Sequence, residues 1–148
     1  MTSTSTATAR TPMALLAPSV GGGLAGGVGF GMLMQLMGMI PMVAALVGST
    51  SVGVGWLVHL IISTGLGGLY GLTVAGRLPA GAVAAAAGGA GYGVIWWVLG
   101  ALLLMPARLG MPVFGFGTVA WQSLMGHLVF GLVLGLVTWF AARRPARA

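Results

Sequence analysis

Hydrophobic residues fill four long runs, and what interrupts them is short and rich in proline, glycine and arginine. A bilayer core takes about 20 apolar residues per helical crossing. The runs at about 20–40, 52–75, 81–104 and 119–142 each meet that length, so the pattern predicts an all-α membrane protein with four transmembrane helices spread over residues 19–142. The first run is expected to stop near Pro41, since proline cannot continue the hydrogen-bond ladder. Arg77, Leu78 and Pro79 read as a tight turn, and Pro106, Gly110, Pro112, Gly115 and Gly117 as the break before the last helix. Residues 1–18, rich in Ser, Thr and Ala and containing Pro12 and Pro18, read as a flexible cytoplasmic tail, with a cleaved signal peptide disfavoured by the long apolar stretch that follows. Residues 143–148 form a basic tail.

Composition sharpens the same picture. The chain of 148 residues is 58% hydrophobic and 4% charged, far too few charges to cover a water-soluble domain. All six charges are arginines, and they sit at the ends and turns of the apolar runs and not on a basic face, which argues against nucleic acid. With both termini on one side, that side holds Arg10, Arg77, Arg143, Arg144 and Arg147 against Arg108 alone on the other. The positive-inside rule then places both termini in the cytoplasm.

The two halves of the chain repeat. Gly29, Phe30 and Gly31 correspond to Gly91, Tyr92 and Gly93, and Gly38 to Gly100; Trp56 precedes His59 as Trp121 precedes His127. Two tandem helical hairpins related by a pseudo-two-fold axis along the membrane normal are expected. Stepping by four residues gives a stripe of Gly55, His59, Ser63, Gly67 and Gly71 on the second helix, and of Ser123, His127, Gly131 and Gly135 on the fourth. Small residues at this spacing let membrane helices approach closely.

The segment from Gly55 to Ser63, the Gly-Leu-Tyr-Gly around Tyr70, the Met-Gly-His-Leu-Val-Phe around His127 and the proline-interrupted stretch from Met105 to Phe116 resemble the YagU-like family of small bacterial inner-membrane proteins. The resemblance spans roughly residues 50–142 and implies a polytopic inner-membrane protein linked to acid tolerance, with His59 and His127 as matching positions and no assigned chemistry. The chain departs from that family in an outer connection without acidic residues, which puts a proton-related role in doubt.

Candidate chemistry is sparse. There is no Asp, Glu or Cys, so carboxylate acid–base pairs, thiolate nucleophiles, disulfides and Cys-ligated metals are excluded, and no enzyme is expected. The paired histidines read first as hydrogen-bonded packing groups and second as axial ligands of a b-type haem. Soft donors suggest copper, with Met34, Met37, Met105 and Met111 as candidates among a run that also includes Met32, Met39 and Met42; methionine as a flexible core filler is the plainer reading. Gln35 reads as an interhelical hydrogen bond, the tryptophans Trp96, Trp97, Trp121 and Trp139 as interface anchors or packing residues, and Arg108 as solvated at the headgroups, with a lipid phosphate as its alternative partner. The resulting expectation is a noncatalytic accessory or structural subunit whose partners are the bilayer and other membrane subunits or further copies of itself. A bis-histidine haem module for electron transfer and a small transporter or channel are the alternatives.

Overall fold

The computed structural model describes residues 11–143, so the tail beyond Arg143 and the residues before Thr11 lie outside the described residues. The helices are α1 (Pro12–Leu36), α2 (Ile40–Ala45), α3 (Val52–Thr73), α4 (Ala82–Trp96), α5 (Met105–Arg108) and α6 (Thr118–Ala142). A π-helical segment, Trp97–Leu104, joins α4 to α5. Four spans are long and apolar enough to cross a membrane: Pro12–Leu36, Val52–Arg77, Ala82–Arg108 and Thr118–Ala142. The chain is therefore a multi-pass membrane protein whose described ends, near Leu15 and Arg143, line one cavity. That end of the bundle is called terminal below and the opposite end distal.

Proline placement accounts for where these boundaries differ from the sequence pattern. The first helix starts at Pro12, eight residues before Val20, so the stretch from Pro12 to Pro18 is helix and not tail. Thr11 caps it by accepting a hydrogen bond from the Ala14 amide at 3.4 Å. Pro12 occupies the first turn, where a missing N–H costs nothing, and Pro18 is carried inside the helix, as membrane helices tolerate. The helix then ends at Leu36 instead of Pro41, because Gly38 takes a left-handed conformation (φ 70°) just past the cap residue Met37. Pro41 begins α2.

Pro106 likewise does not end the third span. Its ring withholds the amide that would bond the carbonyl four residues back, on Leu102. That carbonyl is taken instead by the Phe114 amide at 2.7 Å, which ties the distal connection down over the end of the helix.

Three close helix pairs build the bundle: α1 with α3, α1 with α6, and α4 with α6. The two hairpins share one register. Gly27 meets the Ser63 side chain in the first, as Gly89 meets the Gly131 backbone in the second; Gly23 meets Gly67, as Ala85 meets Gly135. These contacts match at the offset by which the two halves of the sequence correspond.

The relation between the hairpins is less symmetric. At the α1–α6 contact Gly26 abuts Phe130 while Gly126 receives the ring of Phe30, a reciprocal exchange of glycine and phenylalanine, and Gly22 lies against Leu134. A strict two-fold would repeat this between α4 and α3. There the position equivalent to Gly126 is Val58, and Gly88, equivalent to Gly26, is already occupied by Leu78 of the α3–α4 connection. The helices form a row in the order α3, α1, α6, α4, and side chains bridge its two end helices. Tyr92 donates its hydroxyl to the Leu66 carbonyl at 2.8 Å, and its ring meets Tyr70 edge-on at 5.1 Å between centroids.

Candidate functional site

Because α3 and α4 do not close, the distal half of the bundle encloses a cavity of about 790 Å³. Phe30 and Met34 of α1, His59, Ser63 and Leu66 of α3, Trp96 and the π segment, and Ser123, His127 and Phe130 of α6 line it, with the α5 connection as its cover. The π segment widens the third span where it passes the cavity: the Met105 amide bonds back to the Gly100 carbonyl, five residues earlier. Trp97, in the same segment, anchors to α6 by donating its indole N–H to the Ala120 carbonyl at 2.9 Å. Short π turns within helices occur frequently at functional sites.

Both histidines border the cavity, and each is fixed by a backbone carbonyl. His59 Nε2 donates to the Gly27 carbonyl on α1 at 2.8 Å. His127 Nδ1 donates to the Ser123 carbonyl one turn back at 2.8 Å, and the Ser123 hydroxyl lies 3.3 Å from the same nitrogen. Carbonyls only accept, so the proton is on Nε2 of His59 and on Nδ1 of His127.

The two rings do not face each other directly. Phe30 stands between them, its ring centroid 5.3 Å from that of His59 and 4.7 Å from that of His127. A bis-imidazole haem needs an unprotonated nitrogen from each ring and a flat slot between them. The bonds to Gly27 and Ser123 leave one such nitrogen on each ring, Nδ1 of His59 and Nε2 of His127, but Phe30, seated in Gly126, packs against both imidazoles, so a macrocycle would have to displace it. The sequence signalled the histidines by repetition; Phe30 was legible only as the counterpart of Tyr92.

The methionine candidates divide. Met34, Met105 and Met111 line the cavity with Met39 and Met42, whereas Met37 packs against the core away from it. The small-residue stripes are used within the bundle: Gly55 lies against Ile40 of α2, Gly67 and Gly71 against Ser19 of α1, and Gly131 and Gly135 against α4. Ser63 serves both roles, packing on Gly27 and lining the cavity, and Ser123 lines it beside His127. Gln35 accepts the Trp56 indole N–H at 3.0 Å, linking α1 to α3.

Of the tryptophans read as anchors, Trp97 is buried and Trp121 exposed, its ring tilted against Phe116 at the distal end. Trp139 carries Arg143 over its ring at 4.4 Å at the terminal end. Arg108 and Trp96 border the same cavity as the histidines, a proximity that no sequence pattern signals. A second cavity, of about 780 Å³, opens at the terminal end among Tyr70, Leu78, Thr138 and Trp139. The layer of Tyr70, Tyr92, Phe130 and Leu134, all buried, lies in the core between the two.

No family model, curated protein or solved structure matches the chain.

Proposed function

We propose that the protein is a noncatalytic subunit of a larger membrane assembly, docking through the outer face of α4. What supports this reading is an asymmetry in how small residues are used. The glycines of the stripes are spent inside the bundle, whereas Ala87 and Gly91 of α4, like Ala17, Gly21 and Ala25 of α1 and Gly65 of α3, are exposed, and a Cβ built on Gly91 meets nothing within 4 Å. Ala87 and Gly91 lie one turn apart on an end helix of the row, flanked by Val83 and Ile95, which are exposed too. A membrane helix gains contact by offering small residues to a partner, because lipid supplies no hydrophobic drive to bring helices together. The resemblance drawn from the sequence, to small polytopic inner-membrane proteins without assigned chemistry, agrees with such a role, as does a chain with no carboxylate or thiol.

The test is gentle extraction from the native membrane followed by size-exclusion chromatography with light scattering. A stoichiometric partner, or a defined oligomer of this chain, is expected, and Gly91→Ile should release it while leaving the elution of the free bundle unchanged. A single monomeric species from native membranes, or an assembly indifferent to Gly91→Ile, would overturn the reading.

A further inference from the structure

The distal cavity has three features that helix packing does not call for. Its volume, about 790 Å³, falls in the range of about 300–1,000 Å³ typical of ligand sites. It opens sideways, since Ile62 of α3 and Leu104 of the π segment line it and yet are 43% and 56% exposed. Its rim carries Arg108, an exposed guanidinium in a chain with no Asp or Glu to pair with it.

From these we infer that the cavity binds one anionic phospholipid, with the phosphate on Arg108 and an acyl chain entering between α3 and the π segment. Guanidinium donates to phosphate in a bidentate fork and keeps its charge at any relevant pH. Beside the histidines and serines, the walls are mostly hydrocarbon and thioether, from residues such as Met34, Leu46, Ile62, Leu66 and Leu104, which suit an acyl chain. The side opening exists because Val58 stands where the α1–α6 contact has Gly126 and Leu78 fills at Gly88 the notch that Gly26 keeps for Phe130, so the hydrophobic part of the ligand can enter from the bilayer without crossing water. The inference is independent of the subunit reading: the lipid site faces the α3–α4 gap and the docking face lies on the outside of α4.

Native mass spectrometry of the full chain in mild detergent tests it, with phosphatidylglycerol and phosphatidylcholine of identical acyl chains as probes and orthophosphate as competitor. One phosphatidylglycerol should bind about fivefold more tightly than phosphatidylcholine, the worth of one arginine at a membrane surface. Arg108→Gln should erase the preference, and Arg77→Gln, at the terminal end, should keep it. Gly100→Phe should weaken both lipids, because Gly100 lines the cavity and a Cβ there meets nothing within 4 Å, which leaves room for a side chain to start. Equal affinity for the two lipids, a preference that survives Arg108→Gln or disappears in Arg77→Gln, unchanged binding in Gly100→Phe, or full displacement by orthophosphate would each overturn the assignment.

Discussion

Gly26→Ala tests how tightly the α1–α6 contact is set. A Cβ at position 26 would lie 2.6 Å from the Phe130 carbonyl oxygen and 3.0 Å from the Phe130 ring. Ordinary C···O contacts run at about 3.3–3.6 Å, so the helices must part by roughly 0.7 Å at this point. A gap of about 0.5–1 Å forfeits a quarter to a half of each dispersion contact along the seam. The seam includes the reciprocal seat of Phe30 in Gly126, so the loss spreads to the histidine neighbourhood. Overpacking of this kind costs about 1–3 kcal/mol, against which alanine returns up to about 1 kcal/mol of helix propensity.

Gly21→Ala is the control, since its Cβ meets nothing within 4 Å on the same helix and collects the propensity term alone. Unfolding in mixed micelles of mild detergent and dodecyl sulfate, followed by tryptophan fluorescence, should place Gly26→Ala below Gly21→Ala by about 1–3 kcal/mol. Two variants equal within about 0.5 kcal/mol would refute the claim that backbone contact at Gly26 holds the hairpins together.

Other substitutions probe the remaining features. Tyr92→Phe removes the hydroxyl bond to Leu66 that bridges α3 and α4, and should cost about 0.6 kcal/mol, at most about 1.7, in the same unfolding assay. His59→Ala removes the bond to the Gly27 carbonyl, which keeps its partner within α1, and the lost bond should cost about 0.5–1.5 kcal/mol, with His59→Gln recovering part of it if the bond and not the ring volume matters. Phe30→Ala empties the seat between the histidines and should destabilise by about 3–5 kcal/mol. Titration of the purified protein with haemin should give no histidine-dependent Soret band, and one that vanishes in both His59→Ala and His127→Ala would show that Phe30 can yield its place to a macrocycle.

The sequence by itself determined the solvent and the architecture. Apolar runs of span length and a near absence of charge admit only membrane-crossing helices, because unpaired backbone in lipid is prohibitive. Repetition of glycine and histidine at helical spacing also foretold which faces of the second and fourth helices turn inward, and Gly55, Ser63, Gly67, Gly71, Ser123, Gly131 and Gly135 are all buried. Prolines misled, because their effect depends on what takes up the carbonyl they leave free: Pro106 continues a span only because the Phe114 amide returns to Leu102. The tertiary structure alone decided that one pair of helices closes and the other stays apart. Symmetric hairpins could pack symmetrically, but the connection carrying Leu78 exists only between α3 and α4, and the leucine fills the notch at Gly88 that the equivalent Gly26 keeps for Phe130. A glycine pattern read along one chain shows which faces approach; which neighbour occupies each notch depends on residues remote in sequence, and here that competition leaves the cavity.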